Sequence, residues 1–431
     1  MNNLYFIIPE LFISLGVMAL LVLGVFKNNS SKIIYYLSCL IILISLAINL
    51  NINITDTIFL FNYSYLVDHL SLFIKSIILI SALFVMFCSY NYVKVNNILK
   101  IEYPILILCS LLGMLVMISS NDLIVFYIGL ELQSLALYVL ASFNRDNLLS
   151  SESGLKYFVL SALSSGLLLY GCSLIYGFSN STNFNEISQN FNIEYGVIFG
   201  MVFVIVGLAF KISAVPFHMW APDVYQGSPT SVTVLFAILP KIAALTVFIK
   251  FLYGPFLNLF EEWQAIIIFL SIASMILGAV AAIGQKNLKR LIAYSSISHM
   301  GYALAGLTTG INQGIQSSII YLMIYLIMNL AFFSCLFMLK RKDKFYENIE
   351  DLSGLSKKHP ILALSFLIIL FSLAGIPPLA GFFAKFYVFI AVIQKEMYFL
   401  AIIGLLATVI AAFYYLRIIK IIYFDPEQEK F

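Results

Sequence analysis

The stretch 207–245 reads GLAFKISAVPFHMWAPDVYQGSPTSVTVLFAILPKIAAL. It places two lysines, Lys211 and Lys241, inside apolar runs, and each lysine has a proline near it, Pro216 or Pro240. A proline frees a backbone carbonyl that lipid cannot satisfy, so a broken helix at membrane depth lines protein or water. A lysine at the bilayer centre costs about 2.5 to 3.5 kcal/mol. The stretch therefore predicts a membrane protein in which broken helices carry buried charges.

The composition of the whole chain supports this class. Of 431 residues, 62% are hydrophobic and only 10% are charged, whereas soluble domains are about 45–50% apolar. Soluble, disordered, collagen-like and nucleic-acid-binding proteins are therefore disfavoured, and no nucleic-acid partner is expected. The five cysteines have no CxxC spacing and no histidine cluster near them, which argues against a disulfide framework, a metal site or an iron–sulfur site. They are Cys39, Cys88, Cys109, Cys172 and Cys335.

Apolar runs bounded by polar, glycine or proline residues predict about thirteen transmembrane helices. Lysine and arginine collect in alternate loops, which predicts a multi-pass protein with its N-terminus on the outer side of the membrane. The first run begins after MNNLYF and is interpreted as a retained helix instead of a signal peptide. The polar stretch 340–360 has room for a short amphipathic surface helix and little else. The predicted spans are 7–26, 33–50, 69–90, 104–119, 121–142, 156–177, 195–215, 229–252, 264–284, 291–309, 314–339, 361–392 and 396–423.

Charged residues inside these spans are the candidate functional groups. They are Lys75, Lys211, Lys241, Lys385 and, as the matching acid, Glu131. Two opposite charges about 4 Å apart interact by roughly 4 kcal/mol at an effective dielectric of 20, and desolvation opposes the charged state by a comparable amount. A buried lysine near a mobile carboxylate can therefore switch between holding and releasing a proton.

The alternative interpretation is that each lysine extends to the interface or forms a static ion pair. This alternative is favoured for Lys75, while Lys211, Lys241 and Lys385 are predicted to be functional because each lies beside a helix breaker. Glu10 is interpreted as an interfacial acid at the outer end of the first span.

The two histidines inside or near spans are less decisive. His218 is either a proton relay or a hydrogen-bonded joint after proline, and His299 follows a serine-rich stretch that could hold water or bond neighbouring helices. Glu102 and Lys156 lie near span ends, where interfacial anchoring is the alternative. No nucleotide-binding glycine motif, Walker loop or haem pattern occurs, so the energy source is a gradient or a partner.

Three stretches carry a family resemblance: 207–245, QKNLKRLIAYSSISHMGYALAG at 285–306 and SLAGIPPLAGFFAKFYVF at 372–389. Together they resemble antiporter-like subunit N of proton-pumping NADH:quinone oxidoreductase, respiratory complex I, known in mitochondria as subunit 2. The wider superfamily includes the L-like and M-like subunits and the multi-subunit cation/proton antiporters. The sequence motif APDVYQGSPT and the lysine at position 241 resemble the N type.

The resemblance implies an all-α polytopic fold with two inverted five-helix repeats and interrupted seventh and twelfth helices. It implies three N-terminal helices in 1–103, five-helix units in 104–252 and 253–423, and a short tail in 424–431. It assigns the proton path to Glu131, Lys211, Lys241 and Lys385. Secondary polar positions are Glu102, Lys156, His218 and Lys289.

The resemblance also implies the partners and the location. No cofactor is expected in this chain, whereas NADH, FMN, iron–sulfur clusters and quinone are expected in partner subunits. Neighbours would be the M-like subunit, small membrane subunits and lipid, in a mitochondrial inner membrane or a bacterial plasma membrane. Bacterial members usually have fourteen helices, whereas this chain stops at DPEQEKF after the thirteenth. A fourteenth helix is expected either to lie outside the given sequence or to have been lost.

The resulting hypothesis is a subunit of NADH:quinone oxidoreductase without a redox centre of its own. Glu131 and Lys211 would take up a proton, Lys241 would pass it on, and Lys385 would exchange it with the outer face or with the adjacent subunit. Two alternatives stay open. One is a subunit of a stand-alone cation/proton antiporter, and the other is a structural subunit whose charges only hold helices together.

Overall fold

The computed structural model describes residues 2–27, 30–189, 195–341 and 344–426. The described chain is almost entirely helical, with two short antiparallel hairpins, β1 (Ile58–Leu60) with β2 (Tyr65–Val67) and β3 (Lys340–Arg341) with β4 (Lys344–Phe345). The helices are α1 (Ile8–Phe26), α2 (Ser31–Leu50), α3 (His69–Val95), α4 (Glu102–Ile118), α5 (Leu123–Ala141), α6 (Leu148–Ser179), α7 (Phe184–Gln189), α8 (Tyr195–Lys211), α9 (Trp220–Gly227), α10 (Thr230–Tyr253), α11 (Phe260–Ile283), α12 (Leu288–Leu307), α13 (Asn312–Met338), α14 (Leu355–Lys358), α15 (Pro360–Ala374), α16 (Ala380–Gln394) and α17 (Tyr398–Phe424).

The helices agree with the predicted spans. Within the described ranges, nine helices are long and apolar enough to cross a membrane, and α4, α8, α15 and α16 are shorter apolar helices. The remaining predicted span, 291–309, corresponds to α12, which is rich in serine. Each predicted span therefore coincides with one helix, except that the twelfth is divided between α15 and α16.

Side chains before the helices fix where several of them begin. Asp68 accepts a hydrogen bond from the backbone N–H of Ser71 and caps α3, and Asp122 accepts from the first turn of α5. Asn147 and Asn287 cap α6 and α12 in the same way. These acceptors satisfy backbone N–H groups that have no partner within the helix.

Both predicted interruptions are present. The helix α8 ends at Lys211, and α9 begins at Trp220 after a non-helical segment that contains Pro216. The helix α15 ends at Ala374, and Gly375 then takes a φ of +88° in the left-handed region that favours glycine. The helix α16 starts beyond the two prolines that follow. The first break directly follows Lys211, and the second lies beside Lys385 of α16.

The chain forms two compact units. The first comprises Met1–Lys211 and Gly227–Leu259, and the second comprises Ile212–Gln226 and Phe260–Phe431. In the first unit α10 contacts α3, α4, α5 and α8 and is buried along its whole apolar window. In the second unit α12 contacts α11, α13 and α16. The predicted divisions after residues 103 and 252 stay predictions.

Glycines allow α4 and α5 to approach closely in the first unit. A Cβ atom at Gly113 would collide with the backbone of Gln133, and one at Gly129 would collide with the backbone of Met117. Small residues at such positions let helix backbones pack at short range in a membrane. The approach fixes the depth and rotation of α5, which carries Glu131.

Several short elements occupy the polar stretch between residues 340 and 360, which the sequence shows to have room for little more than a short surface helix. The described part of this stretch forms the β3–β4 hairpin, a 3-10 turn at Ile349–Leu352 and the four-residue α14. Gly354 takes a φ of +70° and separates the last two pieces, while the apolar residues Ile349, Leu352 and Leu355 are buried. Residues 342 and 343, and residues 427–431 of the predicted tail, lie outside the described part.

Candidate functional site

The amine of Lys211 lies in a pocket of hydroxyl groups in the first unit. Its Nζ atom donates to Ser134 Oγ at 2.7 Å, to Ser161 Oγ at 2.7 Å and, at 3.4 Å, to the hydroxyl of Tyr138. The four side chains are buried and come from α5, α6 and the end of α8. An ammonium has three donors, and all three find oxygen acceptors here.

A hydroxyl group both donates and accepts hydrogen bonds. The serine oxygens can therefore accept from the ammonium of Lys211 and, after rotation, donate to the neutral amine. Neither protonation state leaves a buried polar group without a partner, which would cost about 1–3 kcal/mol. This site is suited to a lysine that changes its protonation state. Sequence reasoning missed Ser134, Tyr138 and Ser161. Ser134 and Tyr138 follow Glu131 on α5 by three and seven residues, and this helical spacing was the available signal for these two.

Glu131 lies on the same face of α5 but is not bonded to Lys211. Among the ion pairs of the described residues none joins these two groups, and Glu131 Oε1 is buried without a hydrogen-bond partner. Glu131 precedes Ser134, which accepts from Lys211, by three residues, and this spacing places both on one face of α5. In place of the expected direct ion pair, hydroxyl groups hold Lys211, and one oxygen of Glu131 has no hydrogen-bond partner.

Lys241 occupies the middle of α10, directly after Pro240. It is 0% exposed, in a helix whose apolar window is buried throughout. The proline lies inside the helix and cannot supply a backbone N–H to the turn before it. Of the predicted lysines, this one is the most completely enclosed.

Lys385 is held by the end of a broken helix in the second unit. Its Nζ donates to the carbonyl of Ala374 at 2.9 Å and to that of Leu373 at 3.4 Å, and it lies 5.1 Å from the ring centroid of Tyr302. The last carbonyls of a helix have no partner within it and carry the negative end of the helix dipole. The break after α15 therefore creates the binding site for the amine on α16.

His299 belongs to a hydroxyl network in the same unit. Its Nδ1 lies 2.6 Å from the hydroxyl of Tyr321, and its Nε2 lies 3.3 Å from that of Tyr415, which in turn contacts Ser295 at 2.5 Å. The ring of Tyr302 packs edge-on against His299 and also faces Lys385. The hydrogen-bonded row therefore comprises Tyr321, His299, Tyr415 and Ser295, and Lys385 adjoins it only through the ring of Tyr302. His299 of α12 thereby contacts residues of α13 and α17.

The secondary candidates are dispersed. His218 is half-buried in the segment between α8 and α9, and its Nδ1 is buried without a hydrogen-bond partner. Glu102 is exposed in the first turn of α4. Lys156 pairs with Glu152 one turn earlier in α6, at 2.7 Å and with both side chains partly exposed.

Lys289 forms a more enclosed ion pair. Its Nζ lies 2.8 Å from Glu347 Oε2, and the lysine side chain is 4% exposed. The neighbouring Arg290 contacts Asp223 at 2.6 Å and Gln226 at 3.1 Å. These contacts connect the start of α12 to the segment that follows β4 and to α9, all within the second unit.

A buried triad in the first unit corrects the interpretation of Glu10. Lys75 Nζ lies 2.7 Å from Glu10 Oε1, and the hydroxyl of Tyr65 lies 2.8 Å from both groups. Glu10 is 3% exposed, so it is not an interfacial acid. The hairpin that carries Tyr65 packs on the start of α1 and covers it. The favoured interpretation of Lys75 as part of an ion pair agrees with this geometry.

A second ion pair was not anticipated from the sequence. Lys250 Nζ near the end of α10 lies 2.9 Å from Asp68 Oδ1, and both side chains are largely buried. Burial alone would raise the pKa of Asp68, but the charge and hydrogen bond of Lys250, with those of Ser71, hold it below its ordinary value. Lys250 lies at the edge of an apolar span, where a charged residue ordinarily indicates an interface.

Among the described residues, no group of three histidine, cysteine, aspartate or glutamate side chains is placed to hold a metal ion.

Comparison with known proteins identifies the family. A family model described as NADH:quinone oxidoreductase/Mrp antiporter, transmembrane, matches residues 120–411. NADH-quinone oxidoreductase subunit N of Pelagibacter ubique is 70% identical over 432 aligned residues, which cover 100% of this chain and 92% of that protein. The chain belongs to the subunit N family of NADH-quinone oxidoreductase. The subunit N protein of Parvibaculum lavamentivorans is 50% identical, with 98% of this chain and 88% of that protein covered.

Solved structures share the fold. A chain of respiratory complex I from Thermus thermophilus, determined with bound aureothin, matches with a TM-score of 0.83 and 30% identity over 97% of this chain and 91% of that one. A chain of the Mrp complex from Dietzia sp. has a TM-score of 0.86 at 22% identity, with 98% and 80% covered, which shows the fold alone. The resemblance and the all-α polytopic fold class are therefore confirmed. This subunit N family member is a multi-pass membrane protein of a respiratory complex.

Proposed function

We propose that this subunit N family member translocates protons through its buried lysines and acids, driven by electron transfer in other subunits. The observation that carries the proposal is the hydroxyl pocket of Lys211, which satisfies both the charged and the neutral amine. Glu131 lies on the same helix face, has one buried oxygen without a hydrogen-bond partner, and provides the second group. A proton transporter needs a buried site that can change its charge without losing its hydrogen bonds.

The proposal includes an order of transfer. Glu131 and Lys211 take up the proton, Lys241 passes it on within the chain, and Lys385 exchanges it with the outer face or with the adjacent antiporter-like subunit. Moving one proton against 100 mV takes about 2.3 kcal/mol. A hundredfold change in the proton affinity of one group is worth about 2.7 kcal/mol. A movement of Glu131 relative to Lys211 that changes the proton affinity of the lysine a hundredfold therefore supplies enough free energy to move one proton against 100 mV.

The rest of the machinery is assigned to partners. We place NADH, FMN, the iron–sulfur clusters and the quinone in other subunits, with no redox centre in this chain. The neighbours are the M-like subunit and small membrane subunits, and the N-terminus lies on the outer side. The secondary positions Glu102, Lys156, His218 and Lys289 are proposed to assist proton uptake, and His218 is supported by its unpartnered Nδ1. The lysine-poor alternate loops support the orientation.

The test uses inverted membrane vesicles that contain the whole complex with Glu131→Gln or Lys211→Met. NADH oxidation and the acidification of the vesicle interior are measured together. We expect the number of protons moved per NADH to fall at least severalfold in both variants, while the assembled complex is recovered in normal amounts. Lys32→Met, which removes an exposed charge in the first turn of α2, is the matched control. Unchanged pumping in both variants would overturn the proposal.

A further inference from the structure

A cavity of about 630 Å³ lies in the first unit, at the ends of α1, α4, α5 and α6. Its volume falls within the range of about 300–1,000 Å³ that is usual for ligand sites. None of the side chains in the hydroxyl pocket of Lys211 lines this cavity, and of the residues assigned to proton transfer only Glu102 does. What it binds can be argued from its lining.

Three charged side chains line one part of the cavity: Lys100, Arg145 and Glu102. None of the three forms an ion pair among the described residues. The amine of Lys100 lies 6.0 Å from the ring centroid of Phe143, which also lines the cavity. Two cations and one carboxylate thus surround a cavity without neutralising one another.

The other part of the cavity is apolar and opens outward. Leu21 of α1, Val139 of α5 and Leu155 of α6 line it, and each of these side chains is exposed. They lie within helices that are apolar enough to span the membrane, so this wall offers an apolar surface suited to acyl chains. A charged rim above an apolar wall fits an amphiphile that has a polar head and an apolar tail.

We infer that this cavity is a binding site for phosphatidylethanolamine, with the lipid phosphate between Lys100 and Arg145, its ammonium at Glu102 and its acyl chains along Leu21, Val139 and Leu155. Arginine and lysine bind phosphate through charge-assisted hydrogen bonds, and basic pockets between transmembrane helices take up lipid headgroups. The carboxylate of Glu102 distinguishes an anionic lipid headgroup from a zwitterionic one. It opposes a purely anionic lipid, whereas it pairs with the ammonium of a zwitterionic one.

The test uses the purified intact complex and a phosphatidylethanolamine probe with a diazirine on its acyl chain near the glycerol. After irradiation, labelled peptides are mapped by mass spectrometry. We expect labelling of the cavity-lining parts of α1, α4 and α6. Lys100→Gln and Arg145→Gln should each reduce it about fivefold, because each cation near a headgroup contributes about that factor. The matched control is Lys94→Gln, an exposed lysine of α3 that does not line the cavity.

Two further arms keep the result independent of folding defects. Leu155→Trp keeps every charge and obstructs the apolar wall, and it should also reduce labelling. Unlabelled phosphatidylethanolamine should compete better than phosphatidylglycerol, and Glu102→Gln should reverse that order. Labelling that is insensitive to Lys100→Gln, Arg145→Gln and Leu155→Trp would overturn the site. Stronger competition by phosphatidylglycerol or by inorganic phosphate in the unmodified complex would overturn the assignment to phosphatidylethanolamine.

Discussion

At the scale of single residues, the buried lysines differ in the groups that hold them. Lys211 is held by hydroxyl groups, Lys75 by a carboxylate and Lys385 by backbone carbonyls. Carbonyls and ionised carboxylates only accept hydrogen bonds, so they cannot donate to the lone pair of a neutral amine, whereas hydroxyls can. The three lysines therefore lie in different hydrogen-bonding environments although they look alike in the sequence.

Removing a hydroxyl from the Lys211 pocket should impair pumping. In Ser161→Ala the ammonium loses one of its two shortest hydrogen bonds, which costs about 1–3 kcal/mol. We expect the protons moved per NADH to fall severalfold, with Ser134→Ala giving a similar loss. The measurement is vesicle acidification at matched NADH oxidation. Ser161→Thr keeps the hydroxyl and should retain most of the activity, and equal losses in the alanine and threonine variants would contradict this explanation.

The Glu10–Lys75 pair should be required for stability. In Glu10→Gln the buried lysine loses its counter-charge, and breaking such a pair costs about 3–5 kcal/mol. We expect the purified complex to dissociate at a lower temperature, as followed by thermal denaturation in detergent. The double variant Glu10→Leu with Lys75→Met removes both charges and should recover much of the loss. A double variant as unstable as Glu10→Gln would show that the pair itself is not responsible.

At the scale of elements, the break between α15 and α16 depends on one glycine. Gly375 has a φ of +88°, and a Cβ atom there would lie 3.1 Å from Lys385 Nζ. The left-handed conformation costs a non-glycine residue roughly 1–2 kcal/mol. The geometry of the helix end and the position of the amine are therefore coupled through this residue.

Gly375→Ala should lower both stability and pumping. We expect about 1–2 kcal/mol of destabilisation and a severalfold decrease in protons per NADH, measured by denaturation and vesicle acidification. Gly166→Ala in α6 is the matched control, because a Cβ there meets nothing within 4 Å and alanine favours a helix interior. Wild-type pumping in Gly375→Ala would show that the helix end tolerates distortion.

The contact between α3 and α10 makes a pH-dependent contribution. Burial raises the pKa of Asp68, yet Lys250 and Ser71 bring it below the ordinary value. The pair therefore contributes stability above about pH 4, the unfolded pKa of aspartate, and that stability is lost as the pH falls through the lower folded pKa.

Lys250→Met should reverse the direction of this pH dependence. Asp68 then keeps the burial without the cation, its folded pKa rises, and the protonated form is favoured in the folded state. We expect the variant to be about 1–3 kcal/mol less stable than the unmodified protein at pH 7.5, with the difference narrowing toward pH 5. Thermal denaturation of both complexes across this range is the measurement. A difference independent of pH would contradict the role of Asp68.

At the scale of the whole molecule, the sequence predicts the spans and the burial of the central lysines well, for a physical reason. A lysine inside an apolar run is costly, so Lys211, Lys241 and Lys385 are conspicuous from hydropathy alone. Prolines and glycines near them also predict the two breaks. The burial of Lys211 and Lys385 beside these breaks agrees with that reasoning.

The groups around the lysines could not be predicted in the same way. Ser134 and Ser161 are two of many serines in the spans, and their convergence on Lys211 depends on the relative rotation of α5, α6 and α8. Glu10 was misinterpreted because the hairpin that buries it comes from residues 58–67, far along the chain. Long-range packing decides both cases, whereas hydropathy reports only on the local segment.

The position of the Lys385 amine at the end of α15 has one more consequence. Among the described residues no carboxylate lies within ion-pair distance of it, and peptide oxygens do not titrate. A change of pH therefore leaves these acceptors unchanged, whereas a displacement of α16 relative to α15 would alter their distances to the amine. Lys385 thus responds to the relative position of two helix segments, whereas the hydroxyl groups around Lys211 adapt to the charge of its amine.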